Sequence, residues 1–589
     1  MDRILRVDGS SRASWPHLRE DCDADPDIGG LPLSAFRQID GRTGRWARTG
    51  YHGWCLCFNN PDYRRAYLAY LETLYGVGID GIMTDDVQWF GEGHACACPH
   101  CRRLFAEQTG TQMPDPGPDW EAWHGNYDDP SYVAWLDFRF RSNEDFHIAV
   151  KAHYDALGLR PLRPNYVSHA LHRNWTAYTL ETLPDLDWVF QECCFSAIIR
   201  VSWPGWAIEA SHRFAVGRRR GIPAMAMFYP DRPDTMLFTW GLAMSWGQMY
   251  LATPEGFSLN DQEKELRAFE KAHARLLRGQ RRLSRLGFYD SRANRNLYGD
   301  AEVRSLRGLW TWIQACYRRN VPFDLFQQEE LDRLKAYSVV VLNEVALLSD
   351  EELTAFCASV KYGGTLVWTG RTGTREERGL PRPKDVARLW GLAGTVCVED
   401  GGAMAIHPIG KGKLVTMAGD FGLGPIEPNH NADRRRIEEV RVPFQAVSDE
   451  ERKTWTQITD LLVGFLPAGP DLETEHLPRD VMVTACEAAD GNALTLHFVN
   501  AAGTLDVSPG SEVGHRDPIP FPKHAGPPIR ISVRKSRRWS GRRITEARYL
   551  DPETEGAVSL NFEDGCAMAS VEIDPKLIRA YGLVELRRG

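Results

Sequence analysis

The sequence predicts a mixed α/β chain: a (β/α)8-type TIM barrel, then a smaller doubly wound α/β domain, then a C-terminal β-sandwich. Three observations carry this. Between residues 60 and 253, short apolar runs alternate with helical spacings, which implies a parallel sheet with helical crossovers. A second strand–helix alternation starts at Leu286. From about residue 470 the hydrophobic period falls to two, with turns between the runs. The domains are expected at 1–280, 281–430 and 431–589.

Residues 1–60 read as irregular and rich in Gly, Asp and Arg. Tyr67, Leu68, Leu71 and Leu74 have helical spacing, with Pro61 and Asp62 at the helix start. Ile79 to Met83 is a buried strand that ends in Asp85 and Asp86. Helices are expected at Arg102 to Gln108, Trp120 to Gly125 and Pro130 to Tyr154. Further strands are expected at Pro164 to Ser168, Leu186 to Glu192, Ile222 to Tyr229 and Met249 to Thr253, with a sixth near Trp54 to Phe58. A closed barrel of this kind has eight. Lys264 to Arg285 reads as a charged boundary helix.

In the second unit, strands are expected at Leu286 to Tyr289, Pro322 to Phe326, Tyr337 to Leu342, Gly364 to Trp368 and Gly412 to Met417. Ser305 to Arg319 is helical, and Ser349 with Glu352 forms a capping box at the start of another helix. Gly363-Gly364 is a turn, not a phosphate cradle. The sandwich strands are Val481 to Ala485, Ala493 to Val499, Ile529 to Val533 and Ala569 to Ile573, with a long loop over 503–528.

Composition narrows the partners. A chain of 589 residues is too long for one core. A net charge of −9 argues against a nucleic-acid surface. The 13 Cys, an odd number with one adjacent pair, are not a secreted disulfide framework. The N-terminus has no apolar leader core, and no apolar run reaches about 18 residues. A cytoplasmic protein with no membrane partner is therefore expected.

The strongest local signal is Cys96-x-Cys98-x-x-Cys101. Its three thiolates supply three corners of a Zn²⁺ tetrahedron. Cys57 is the first choice for the fourth, with Cys55 and His94 as alternatives. Four thiolates leave no open position, so this zinc is structural and pins the loop after Asp86. Hydrolysis of a glycosidic bond needs two carboxyl groups flanking the scissile bond. Asp85 and Asp86 close one strand and Glu192 closes another, where barrel strands deliver groups to the active-site mouth. Glu255 is a further acid near that face.

These residues resemble glycoside hydrolase family 42, the β-galactosidase-like enzymes. The family has an Arg-containing loop, a Cys-Pro-Asn-x-Pro-x-Tyr-Arg segment, a strand ending Asn-Glu, a Cys-x-Cys-x-x-Cys cluster and a Phe in the next helix. Here the counterparts are Arg48, Cys57-Phe-Asn-Asn-Pro-Asp-Tyr-Arg64, Asp85-Asp86, Cys96 to Cys101 and Phe105. The resemblance implies a barrel, a flavodoxin-like trimerisation domain and a C-terminal β-domain. It also implies zinc on Cys57, Cys96, Cys98 and Cys101, and a homo-oligomer, trimer or dimer, built through the second domain.

The chain departs from the family in three ways. Asp85-Asp86 replaces Asn-Glu. The segment Met225 to Tyr229 lacks the family's nucleophilic Glu. The chain also starts after the family's second strand, which implies an N-terminally incomplete barrel. The expectation is a retaining glycosidase with Asp86 as acid/base, Glu192 as nucleophile and Asp85 beside them. Arg48, Trp89, Asn165, Tyr229 and Glu255 would line the sugar site. The rival expectation is an inactive carbohydrate-binding or scaffold protein derived from such an enzyme.

Overall fold

The structure, a computed structural model, describes residues 4–8, 27–28, 30–49, 53–85, 87–90, 93–158, 177, 179–183, 186–193, 206–230, 233–252, 260–298, 306–382, 386, 390–391, 404–418, 449–501, 521, 524–539, 541–554 and 556–589. The expected strand at Pro164 to Ser168 lies outside them. Of the loop expected over 503–528, only 521 and 524–528 are described.

The first unit opens with β1 (Ile4–Asp8), which corrects the reading of residues 1–60 as irregular. The run Ile-Leu-Arg-Val is extended because β2 (Gly81–Asp85) pairs with it in parallel, from Ile4 opposite Gly81 to Asp8 opposite Asp85. Between them lies α1 (Pro61–Gly76). Asn60 caps it by accepting from the Asp62 and Tyr63 backbone N–H groups. Then come α2 (Pro99–Thr109) and the long α3 (Pro130–Ala156). A three-stranded parallel sheet follows, formed by β3 (Val189–Cys193), β4 (Ala224–Phe228) and β5 (Met249–Ala252). Its crossover helices are α4 (Trp206–Arg220) and α5 (Pro233–Trp246). Met83 of β2, Phe190 of β3, Met225 and Met227 of β4 and Leu251 of β5 pack into one cluster, the barrel interior.

Two expected elements fall differently. The stretch Trp54 to Phe58 is not a barrel strand. Gly53–Trp54 pairs antiparallel with Arg48–Thr49, and the Cys57 N–H then donates to Phe36 O at 2.6 Å, so this segment is spent on the loop before α1. The expected helix Lys264 to Arg285 is broken. α6 (Asn260–Ala272) stops, a single turn follows at Ala274–Leu277, and Gly279 takes φ +65°. Arg281–Arg282 then becomes a strand against Cys486 and Glu487 of the sandwich.

The second unit is a six-stranded sheet. Its strands are β6 (Leu286–Asp290), β7 (Asp324–Gln327), β8 (Val339–Leu342), β9 (Thr365–Thr369), β10 (Ala405–Ile409) and β11 (Gly412–Met417). Their order is β7-β6-β8-β9-β11-β10, parallel except for the β10–β11 hairpin, which is flavodoxin-like winding. Helices α7 (Arg292–Leu297), α8 (Leu306–Arg318) and α9 (Asp350–Lys361) flank it. Ser349 Oγ accepts from the Glu352 N–H at 3.1 Å and Glu352 Oε2 accepts from the Ser349 N–H at 2.6 Å, the capping box expected.

Helix α10 (Asp449–Phe465) packs on α8, with the Arg318 guanidinium 4.5 Å from the Trp455 ring centre. The last unit is two antiparallel sheets around a shared apolar core. One holds β12 (Leu472–Glu475), β15 (Ile529–Arg534), β18 (Met568–Ile573) and β17 (Asn561–Asp564). The other is built on β13 (Val481–Glu487), β14 (Ala493–Asn500), β19 (Tyr581–Arg588) and β16 (Ile544–Leu550). No helix among the described residues is long and apolar enough to cross a membrane.

Buried charge joins the first unit to the second through α4. Arg218 forks onto Asp324 at 2.8 and 3.0 Å and onto both oxygens of Glu330 at 2.9 Å. His212 Nε2 lies 3.0 Å from Glu181 Oε1, and Arg295 bridges Glu181 to Asp290. Gln327 donates to both carboxylates at 3.0 and 3.1 Å. Burial pushes the Asp324 carboxyl up, but Arg218, Arg333 and Arg282 outweigh it and hold the group at about 2, below its ordinary 3.8. A depressed carboxyl stabilises the fold above its unfolded value and stops doing so as pH falls through its folded value. The window is therefore about pH 4 down to about 2, and the contribution about 2 kcal/mol. Asp324→Asn is expected to destabilise the chain at pH 7 by about 3 kcal/mol, since Arg218 and Arg333 lose a buried partner. It should also flatten the acid loss in that window, as read by urea unfolding at each pH.

Candidate active site and metal centre

Cys57, Cys96, Cys98 and Cys101 are all buried, and their sulfurs lie within 4.8 Å of one another. Local structure brings them together. Cys57 is set by its backbone bond to Phe36 and by the cap of α1, Asn60, three residues on. Cys98 is the N-cap of α2, where Pro99 takes the first helical position, and its sulfur accepts from the Cys101 N–H at 3.4 Å. Cys96 Sγ accepts from the Ile39 and Cys98 N–H groups at 3.4 Å, and Cys101 Sγ accepts from Asn59 Nδ2 at 3.5 Å.

Cys57 Sγ is 3.5 Å from both Cys98 Sγ and Cys101 Sγ. A Zn–S bond of about 2.3 Å gives a tetrahedral S···S edge of about 3.8 Å, so the cluster is close to the size a metal needs. Hydrogen bonds, from Cys101 above all, pull the Cys98 thiol well down, while burial pushes Cys57 and Cys101 up. Four buried sulfurs, four N–H···S bonds and a helix N-terminus beside them suit thiolates around a soft divalent cation. The alternatives are accounted for. Cys55 packs with Ala47 and Phe90. His94 accepts from Trp120 Nε1 at 3.2 Å and stacks on His124 at 3.7 Å. The loop closes tightly here, since a Cβ at Gly41 would lie 2.0 Å from the Trp120 ring.

Side-chain alternation along β2 can be read from its partners. Ile82 and Thr84 face α3: Ile82 shares a core cluster with Phe146, Val150 and Tyr154, and Thr84 Oγ1 is 3.4 Å from His147 Nε2. His147 Nδ1 lies 2.8 Å from Asn143 O, a carbonyl, so this nitrogen carries the proton. Burial lowers the ring to about 4 and keeps it neutral. Met83 lies on the other face, in the barrel interior. Position 85 shares that face, because alternate positions of a strand lie together. Asp8 is paired with Asp85 in register, so a second acid stands at this strand end. Sequence reasoning missed Asp8, although the apolar run before it was a usable signal. Position 192 shares the face of Phe190 on β3 and stands opposite Met227 of β4.

Asp8, Asp85, Glu192 and Arg48 are described as backbone only, and Asp86, Asn165 and Glu255 lie outside the described residues. Tyr229 follows β4, partly buried against the interior cluster. Trp89 is corrected. It is 1% exposed, donates from Nε1 to Arg139 O at 2.9 Å and packs on Phe58 at 4.2 Å, so its ring is part of the core and not a sugar platform.

With this geometry in place, the chain can be set beside known proteins. Solved structures match it over nearly its whole length. A catalytic mutant of a GH42 β-galactosidase from G. stearothermophilus matches at TM-score 0.59 and 13% identity, covering 100% of this chain and 88% of that one. A β-galactosidase from Bacillus circulans sp. alkalophilus matches at 0.59 and 14%, covering 98% and 88%. The fold is that of the family 42 glycoside hydrolases. Residues 289–385 also match the family model described as the β-galactosidase trimerisation domain. The same fold extends to an α-L-fucosidase isoenzyme from Paenibacillus thiaminolyticus, at 0.56 and 13%, covering 94% and 84%. No curated protein sequence matches the chain. In the GH42-like frame, β4 has no carboxylate: Ala224 to Phe228 is apolar and buried throughout.

The sulfur cluster predicts a metal. Purified protein is expected to carry about one zinc per chain by elemental mass spectrometry, lost in Cys101→Ser. Stripping it with a chelator should lower the melting temperature by several degrees, because binding to the folded state alone is folding free energy.

Proposed function

We propose that the chain is a glycoside hydrolase. The observation that carries this is the placement of carboxylate positions 85 and 192 at the carboxyl ends of β2 and β3, on the interior face of a barrel with the GH42 fold. Two carboxyl groups across a barrel mouth are the equipment for acid-assisted departure of an alcohol from a sugar. In this reading Glu192 is the nucleophile of a retaining reaction. The Asp85-Asp86 step supplies the acid/base, and Asp85 and Asp86 are its two candidates. Arg48, Asn165, Tyr229 and Glu255 contact the sugar. The domains divide at 1–280, 281–430 and 431–589, and the second mediates homo-oligomerisation, supported by its match to a trimerisation domain. Four thiolates would hold a structural zinc that fixes the loop after the acid/base pair.

The apolar β4 favours a second reading, a carbohydrate-binding protein without catalysis. The two readings separate on a panel of aryl α- and β-glycosides assayed with wild type, Asp85→Asn, Asp86→Asn and Glu192→Gln. The glycosidase reading expects hydrolysis of at least one sugar. It also expects a loss of about 10² to 10⁴-fold in Glu192→Gln and in one of the two Asp variants, with folding intact by circular dichroism. Hydrolysis undiminished in Glu192→Gln contradicts the role of Glu192. Sugar binding without turnover, unchanged in all three variants, supports the second reading.

A further inference from the structure

All three units meet at a narrow crevice that opens to solvent. Ser211 of α4 lines it from the first unit, Tyr317 of α8 and Asn320 just beyond it from the second, and Thr484 of β13 from the sandwich. Arg282, on the strand that leads from the first unit into the second, reaches it as well. Its guanidinium stands between two rings, 5.2 Å from the Phe214 centre and 5.4 Å from that of Phe323, with Nη1 donating to Ser211 Oγ at 3.0 Å.

Arg282 has no carboxylate within ion-pair distance among the described residues. The carboxylate that acts on it, Asp324, is already taken by Arg218, by Arg333 at 2.7 Å and by the Tyr337 hydroxyl at 2.8 Å. Among the described residues, Arg282, Arg218 and Arg333 face two acids, Asp324 and Glu330, an excess of one positive charge. Burial lowers the pKa of Arg282, a partly buried cation on the crevice wall. Apart from the bond to Ser211, its N–H groups have no protein partner among the described residues and stay open to the crevice, and its planar fork matches two oxygens of an oxyanion.

We infer that this crevice is a binding site for a small oxyanion, a carboxylate or a phosphate, which docks on the guanidinium fork of Arg282 and clamps the three units together. It is separate from the barrel mouth and independent of the hydrolase reading. An occupant that binds only the assembled fold raises its stability.

The test is the melting temperature of the full chain against inorganic phosphate, and separately against acetate, with ionic strength held constant by chloride. The site predicts a saturable rise of about 2–4 °C with at least one of the two in wild type, absent in Arg282→Gln and reduced in Arg282→Lys, which keeps the charge but not the fork. Thr484→Glu, which puts a carboxylate on the crevice wall, should remove the dependence on added anion. This variant also decides the matter if Arg282→Gln does not fold. A rise with phosphate alone assigns a tetrahedral ligand and a rise with acetate a carboxylate. No rise with either anion in wild type, or an equal rise in Arg282→Gln or Thr484→Glu, overturns the proposal.

Discussion

The constraint on which the candidate site depends is the approach of four buried sulfurs, Cys57, Cys96, Cys98 and Cys101, to within 4.8 Å of one another. Thiolates this close repel, and a soft divalent cation at their centre would offset that repulsion. Its effect is positional. Cys57 belongs to the loop that carries Arg48, and Cys96 to Cys101 follow the strand that ends in Asp85. Fixing one to the other would add to the backbone bonds that already join this segment to the loop after β2, from the Gly41 N–H to His94 O at 3.1 Å and from the Ala97 N–H to Ile39 O at 2.9 Å. Trp120, Trp123 and Trp135 pack edge to face beneath this segment and complete its support.

A second set of buried charges decides how the barrel meets the flavodoxin-like unit. Helix α4 follows β3, the strand of Glu192, and presents charged or titratable groups in both directions. Arg213 Nε donates to the carbonyl of Phe190 at 3.2 Å, while His212 and Arg218 reach partners around β6 and β7. The Glu181, His212 and Asp290 cluster has the makings of a metal site, but Arg295 and Gln327 already occupy its oxygens, so protein donors satisfy that charge. Removing Arg295 takes the shared cation from two buried carboxylates, Glu181 and Asp290, which is why such networks tolerate little change.

Much of this was legible in the sequence. The capping box at Ser349 and Glu352 is a local code and was read as such. The sulfur cluster was legible because three ligands fall within six residues, and Cys57 stood out from Cys55 and His94 through the motif around it. What escaped depends on distant partners. β1 was missed because a five-residue strand among Gly, Asp and Arg gains its identity only from β2. The helix expected through Arg285 stops because Arg281 and Arg282 pair with Cys486 and Glu487, some two hundred residues away. Trp89 was read as lining the sugar site because nothing in its own segment announces that Arg139 O and Phe58 enclose it. The face assignment of position 85 likewise came from Met83 and Thr84 in three dimensions, not from the Asp-Asp pair itself.

The central claim is that positions 85 and 192 frame a glycosidic bond, with Glu192 forming the covalent bond to the sugar. It is tested most directly by trapping the intermediate with a slow 2-fluoro glycoside of a sugar that the chain hydrolyses, then locating the added mass by peptide sequencing. The account predicts one glycosyl group per chain, attached to Glu192. A label on another carboxylate, or turnover of that sugar with inversion and no trapped adduct, would contradict it.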